Sequence, residues 1–472
     1  MLEKILNIGR KIIPRRLFRW GQPVYHFLLA LSGNIIYRFP GRKMICVGVT
    51  GTNGKSTTVE LINSVLKDGG KKTGMISTIA FEVAEKRTDN ITSHTTLGRW
   101  QTQKMLRKMV RAKCEYAVLE VASEGIKMFR TWGIPFDVAV FTNLSPEHLN
   151  THKTMKNYRN TKGKLFVSLS TSKRKKLVFV DGQDEQPNTR SKERGAIPHL
   201  FSLFQKKGAG QTVNSKRARI KKISIVNADD REAKYFSAFP ADEHFLYGQK
   251  KGDVRAENIG EKLEFSIEYQ GKNYPIKSDL IGGFNVYNIL AAWCVGFSQK
   301  LNPKDIQKGI FEIKGVKGRF EKVAEKDGVQ YFLDYAVTPD AFELLFAELR
   351  KIASGRIIAV FGATGDRDKS KRPKLGEVAA RKADIVIITD EEPYSEKPAD
   401  IINQIYGGAV KIRKEGVYKI VDRKKALREA IKIAKEGDVV VATGLGHQKF
   451  RNVGGKKKIS WEEGKIIKDL LK

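Results

Sequence analysis

Cysteine is scarce in this chain of 472 residues: only Cys46, Cys114 and Cys294 occur, far apart and in no CxxC or CxxH spacing. That excludes a disulfide framework and a structural zinc site, and implies a reducing, cytoplasmic setting. Long hydrophobic runs are also missing. No apolar stretch approaches the roughly 18 residues that a membrane span needs. No small-residue cleavage site follows the N-terminal segment, so secretion is not expected. Acid is the third shortage, with 52 Asp and Glu against 87 Lys and Arg, a net charge of +35. Such an excess attracts polyanions, from nucleotides to anionic lipid. The basic residues are spread along the chain and lack the interleaved aromatics of a single-strand platform, so no nucleic-acid partner is expected.

What is present is enough apolar material, 41% of residues, for packed cores in two or three domains. Residues 1–43 form a short basic segment. Leu2, Ile5, Ile8, Ile12 and Ile13 share a helical face, and a second apolar stretch, Tyr25 to Tyr37, follows Pro23. A pair of helices packed on the next domain is expected, with loose contact of residues 1–40 with a lipid surface as the sharper reading. From residue 44 the pattern becomes strand, loop, helix, strand: Met44–Thr50, Lys55–Lys67, Tyr116–Val121, Val138–Phe141. That alternation implies a mostly parallel sheet covered by helices, spanning 44–313. Residues 183–222 interrupt it with ten basic against three acidic residues and read as a surface insertion, with a short helix at Leu200–Phe204. A second alternation over 314–472, with strands at Ile357–Phe361, Ile385–Thr389 and Val439–Ala442, reads as a Rossmann-like α/β domain.

The strongest local signal is Gly48-Val-Thr-Gly51-Thr-Asn-Gly54-Lys55-Ser56-Thr57. Glycines let successive backbone N–H groups converge on phosphate oxygens, and the helix that follows offers its positive end. Lys55 adds a charge and Ser56 a hydroxyl suited to magnesium. The strict GxxxxGK[ST] spacing fails because Val49 stands at the first glycine, but the flanking strand and helix supply the required context. Glu120 ends a buried strand, where an open α/β sheet binds its ligands and a carboxylate can face a phosphate loop. By itself it could equally be a solvated strand end. His148 follows the next strand, in Thr142-Asn143-Leu-Ser-Pro-Glu147-His148, and a lone histidine there is more often structural than a ligand.

Together these segments resemble the Mur ligase family, closest to the branch adding the third residue of the peptidoglycan stem peptide. The blocks run in order: TGTNGKST, EVASEG, TNLSPEHLNTHKTMKNYRNTKGKLF, GGFNVYNILAA, GRFE, DYAVTPDA, GATGDRDKSKRP and GLGH. The resemblance implies an ATP- and Mg²⁺-dependent ligase that makes an acyl phosphate and joins it to an amino acid. It implies that Gly51, Thr52, Asn53, Gly54, Lys55, Ser56 and Thr57 cradle ATP, with Asn285 and Asn288 near the adenine. Arg319 and Asp334 match phosphate and ribose contacts. Ser56 and Glu120 would hold one Mg²⁺, His148 and a carbamylated Lys162 the second. Thr95, Thr96 and Ser123 match contacts to a nucleotide-sugar peptide, while Asp390, Glu391, Tyr394, Gly444 and His447 fall in blocks on the substrate side. Small-molecule substrates and a monomeric chain are expected.

Departures from the family pattern concentrate on substrate selection. Only about forty residues precede the phosphate loop, where the family usually has a domain that grips uridine diphosphate. Val337 replaces the histidine of DYAHTP, Leu97 the proline of a TTP element and Glu124 the histidine of SSH, and Leu445 and Gln448 alter GKGHE. Asp390-Glu391-Glu392-Pro393-Tyr394 occupies the place of DNPR, whose arginine holds diaminopimelate in many relatives. The exchange of arginine for tyrosine beside two glutamates implies a substrate with a cationic end, such as L-lysine or L-ornithine. Rival readings are a folylpolyglutamate synthase-like or cyanophycin-type ligase and, from another class, a nucleic-acid-binding P-loop ATPase.

Overall fold

The computed structural model describes residues 15–92, 95–180, 215–260, 262–455 and 457–472, with side chains described from residue 21 onward except at 178–180 and 215–218. Residues 1–14 and the expected short helix at 200–204 lie outside that set.

Strand β1 (Ile45–Thr50) is buried at all six positions because both faces of its sheet are covered. Its alternate side chains feed two cores. Ile45, Val47 and Val49 join the helices Lys55–Asp68 and Asn285–Ser298, whereas Cys46 faces Leu106 and Met109 on one helix and Leu165 and Phe166 on another. A continuous apolar run, instead of alternation, is what a two-sided parallel strand requires. The sheet is completed by β2 (Thr73–Ile76), β3 (Ala80–Val83), β4 (Lys86–Asp89), β5 (Tyr116–Glu120) and β6 (Val138–Phe141). A separate hairpin-like pair, β7 (Lys176–Val180) and β8 (Ser215–Arg219), leads into β9 (Ile223–Asn227), β10 (Glu243–Gly248), β11 (Val254–Glu257), β12 (Glu264–Tyr269) and β13 (Lys272–Lys277). The eleven-stranded order is β13-β12-β11-β10-β9-β6-β1-β5-β2-β3-β4. Pairing is parallel from β11 to β2 and antiparallel at both edges.

The second sheet, in order β14 (Glu321–Lys326), β15 (Val329–Asp334), β19 (Val439–Thr443), β16 (Ile357–Phe361), β17 (Ile385–Ile388) and β18 (Val417–Lys419), is parallel except for β14. Helices Pro339–Ile352, Lys371–Lys382 and Pro398–Ala409 cover one face, and Arg423–Ile433 with Glu463–Leu470 the other. The α/β class and both sheet domains therefore match the sequence expectation.

Two boundaries differ. Helix Arg15–Ile36 runs straight through Pro23, where the sequence suggested a break. Proline removes one helical hydrogen bond, and here packing outweighs that loss. Phe27 meets Phe129 and Trp132, and the Trp100 indole donates to the Leu29 carbonyl at 3.1 Å. The helix leaves Val24, Leu28 and Ile35 exposed. No helix among the described residues is long and apolar enough to cross a membrane. The basic stretch assigned to 183–222 as surface insertion also ends earlier. Ser215–Arg219 forms β8, Ile220 enters the core, and buried Lys222 donates to the Phe136 carbonyl at 2.7 Å and to Asp137 Oδ1 at 3.0 Å. A lysine in service of a buried carboxylate has the composition of a surface residue and the role of a core one.

Candidate active site

The loop after β1 turns on Gly51 and Gly54, with φ of 154° and 82°. A Cβ at Gly54 would lie 2.4 Å from Asn288 Oδ1, so the loop lies against the helix Asn285–Ser298 at a distance only glycine allows. Asn288 is itself fixed, donating to Asn285 Oδ1 at 2.8 Å and accepting from Thr58 Oγ1 at 3.1 Å. The Asn53 carbonyl accepts from Thr142 Oγ1 at 2.7 Å and its amide donates to Asn143 Oδ1 at 2.9 Å. Lys55 Nζ donates to the Thr52 carbonyl at 2.7 Å. These contacts hold a curled loop open at a helix N-terminus, the geometry that receives phosphate.

Beyond the loop, Ser56 Oγ donates to buried Glu120 Oε2 at 3.0 Å, and the Thr78 amide donates to the same oxygen at 2.7 Å. Lys162 is buried and donates to the Gly51 carbonyl at 2.5 Å, with its ammonium 4.5 Å from the centre of the Tyr158 ring. Burial, and secondarily the positive Lys55, pushes its amine well below the usual lysine range. His148, at a left-handed φ of 55°, has Glu124 Oε1 3.6 Å from Nδ1 and Glu147 Oε2 3.7 Å from Nε2. Burial acts to raise the Glu147 carboxyl, but His148, Lys55, Lys371 and Lys162 together outweigh it and hold it below its ordinary value. From the second domain, Arg319 reaches Ser56 Oγ at 3.3 Å. Asp334 stands behind it, accepting from the Phe320 and Ala336 amides at 2.7 and 2.6 Å.

Thr96 and Ser123 flank the far side of Glu120. Thr96 Oγ1 lies 3.4 Å from the Glu120 carbonyl, and Ser123 Oγ lies 3.1 Å from His152 Nε2. Thr95 is half-buried beside them. In the C-terminal domain Asp390, Glu391 and Glu392 are all buried. Asp390 accepts from Arg451 Nη2 at 2.8 Å, Glu391 from Thr364 Oγ1 at 2.6 Å and Glu392 from the Asn452 amide at 3.0 Å. Gly444, at φ 99°, abuts Glu391 so closely that a Cβ would meet its carboxylate at 2.1 Å. Tyr394 is half-buried in a left-handed conformation, φ 50°. His447 is buried against Tyr335, and burial with the nearby Arg319 lowers its pKa to about 3.

The Mur ligase middle-domain profile matches residues 49–219 and 215–296, and the Mur ligase glutamate ligase domain profile matches residues 318–446. A UDP-N-acetylmuramyl-tripeptide synthetase of Roseiflexus sp. is 35% identical over 446 residues, covering 92% of this chain and 80% of that protein. A UDP-N-acetylmuramoyl-L-alanyl-D-glutamate--2,6-diaminopimelate ligase of Clostridium acetobutylicum is 32% identical over 451 residues, covering 94% and 81%. The chain belongs to the Mur ligase family. A solved MurF structure from Acinetobacter baumannii shares the fold at TM-score 0.63 and 16% identity, covering 94% of this chain and 80% of that one. As a Mur ligase the chain is an ATP-dependent ligase that forms an amide bond and releases ADP.

The residues fit a divalent cation of the magnesium kind. Their donors are a hydroxyl, carboxylates and an imidazole, and no group of three His, Cys, Asp or Glu among the described residues forms a closed cage. Mg²⁺ is commonly held by one or two carboxylates completed by nucleotide phosphates and water. Lys162 also fits its expected carbamate, because only a neutral amine adds carbon dioxide and its surroundings favour the neutral form. Two residues of this cluster escaped the sequence reading. Glu147 lies in the combined field of His148, Lys55 and Lys162, and Lys371 acts on the same carboxylate from the other domain while donating to the Val337 carbonyl at 2.8 Å. Each stands inside a family block, SPEH and DKSKRP, but only the folded chain brings those blocks together.

Proposed function

We propose that the chain adds an amino acid to the carboxylate of a UDP-muramyl-dipeptide-like acceptor, as a step in peptidoglycan precursor synthesis. The observation that carries this is the Ser56–Glu120–Lys162–Arg319 cluster, assembled from two domains around the phosphate loop. A carboxylate is a poor acylating agent, so the γ-phosphoryl group passes to it from ATP. The amine attacks the acyl phosphate, and phosphate leaves from the tetrahedral intermediate. Lys55 and Arg319 would offset the repulsion between carboxylate and γ-phosphate. A divalent cation held at Ser56 and Glu120, with another at His148 and carbamylated Lys162, supplies further charge neutralisation when bound. Because Arg319 arrives from the second domain, closure completes the site and excludes water. The Thr96–Ser123 side would receive the acceptor, and the Tyr394–Glu391–Gly444–His447 side the amino acid.

ADP release measured with and without UDP-muramyl dipeptide and an amino-acid panel tests this. Release that needs both substrates supports it, and an ATPase stimulated by nucleic acid instead would sink it. We read the chain as a cytoplasmic monomer. Exposed Val24, Leu28 and Ile35 support loose lipid contact by the first forty residues, which sedimentation with anionic vesicles measures.

A further inference from the structure

Two guanidinium groups and an imidazole converge where the helix Arg15–Ile36 meets the start of the helix Arg99–Arg111 and the turn after Ser123–Lys127. They are His26, Arg99 and Arg130. His26 Nδ1, Arg99 Nε and Nη2, and Arg130 Nε are all buried, and none has a hydrogen-bond partner among the described residues. Leaving charged donors unmet costs more than an ordinary lost hydrogen bond, so such a cluster persists where an anion completes it. Each of the three is disfavoured in its charged form. Burial, then Arg99 and Arg130, lowers His26 to about 4, burial and Arg130 lower Arg99, and burial lowers Arg130.

Among the described residues no carboxylate forms an ion pair with any of them. Glu124 is the acid whose field reaches Arg130, and it lies 3.6 Å from His148 Nδ1 and accepts from Thr151 at 3.2 Å. The local chain has no other to offer: neither residues 4–59 nor residues 90–114 contain an Asp or Glu. The cluster is also placed at the acceptor end of the cleft. Arg130 Nη1 donates to the Thr96 carbonyl at 2.7 Å, and Thr96 Oγ1 sits between the Ala122 amide, at 3.1 Å, and the Glu120 carbonyl.

We propose that His26, Arg99 and Arg130 form an oxyanion site that takes a phosphate of the acceptor's nucleotide diphosphate. The assignment rests on the UDP-linked acceptor argued above. It gives the helix before the phosphate loop a share in gripping the acceptor. Several unpartnered donors and two guanidinium charges suit a multiply charged phosphate better than a single carboxylate, because Arg forks pair with phosphate oxygens two at a time.

Calorimetric titration of the full chain with inorganic pyrophosphate, the ATP pocket being filled with AMP-PNP, tests the site without any acceptor. Wild type should bind, and Arg99→Gln should bind about ten-fold more weakly. With acceptors, Arg99→Gln should raise KM for UDP-muramyl dipeptide about ten-fold and change kcat less than about two-fold. KM for muramyl dipeptide without the nucleotide should not move. Equal rises for both acceptors would make the ligand a peptide carboxylate and overturn the assignment. Equal pyrophosphate binding by wild type and variant would overturn the site. Pyrophosphate binding intact in a chain inactive on every muramyl acceptor would refute the acceptor reading and leave the anion site standing. Unliganded Arg99→Gln should melt no lower than wild type, and His26→Asn repeats the test should that variant fail to fold.

Discussion

At the scale of single residues, the proposed function turns on Lys162. A buried ammonium beside Lys55 is unfavourable, and conversion to a carbamate would replace two like charges with an attractive pair. Lys162→Ala should therefore lose about a hundred-fold or more in kcat with the fold intact, and short carboxylic acids should restore part of it by supplying the missing oxygen. Lack of rescue at any concentration, with normal ATP binding, would make Lys162 a structural support of the Gly51 carbonyl. The proposed amino-acid side is a second residue-level question. Arg413 cannot serve as a replacement clamp, since its nitrogens donate to the Ala380, Ala383, Asp384 and Glu415 carbonyls. Arg451 pairs with Asp390 and Arg423 with Glu463, and among the described residues Glu391 and Glu392 have no ion-pair partner, Arg423 and Lys371 lending Glu391 their fields alone, so acid remains in excess. In competition at equal concentration, L-lysine should be incorporated ahead of meso-diaminopimelate. The reverse would point to Arg451, whose Nε and Nη1 are buried without partners, as the holder of the distal carboxylate. Lys55, Ser56 and Glu120 were legible because glycine spacing and strand ends mark them locally. Glu147 and Lys371 were not, because their meaning is a convergence of charges from two domains.

At the scale of elements, the loop and its helix depend on two glycines. Gly54→Ala would combine a left-handed φ with a 2.4 Å contact to Asn288 Oδ1, so ATP affinity should fall steeply, measured by nucleotide titration of the folded variant. Unchanged affinity would mean that the loop can shift without harm. Buried strands made of uninterrupted apolar runs, such as Ile357–Phe361, were legible, whereas buried Thr73–Ile76 and largely buried Val329–Asp334, whose Gly, Thr, Gln and Asp break the run, were not. Residues 215–222 were misread because a Lys- and Arg-rich strand that ends on a buried ion pair carries no apolar signature. The deletion that spares function is accordingly the shorter one. Removing about residues 185–212 should leave melting temperature and turnover nearly unchanged, since loop closure changes slowly with length. Removing 185–218 should destabilise the chain by stripping β7 of its partner.

At the scale of the whole molecule, the two domains meet through Arg319 on Ser56, Phe284 edge-on to Phe320 at 5.8 Å, and Lys449 paired with Asp89 at 2.5 Å. Buried His447 lies at the same junction, its folded pKa near 3 against about 6.5 in an unfolded chain. The unfolded chain takes up a proton first as pH falls, so the full contribution holds above about pH 6.5 and is lost progressively toward pH 3. Melting temperature should drop across that window, and His447→Gln should flatten the slope; an equal slope in both would contradict the burial argument. The central claim is that this two-domain site phosphorylates a carboxylate before an amine attacks it. Its most direct test follows ¹⁸O from a labelled acceptor carboxylate during turnover. One labelled oxygen should appear in inorganic phosphate for each amide formed. Phosphate free of label, with amide accumulating at the normal rate, would show that no acyl phosphate forms.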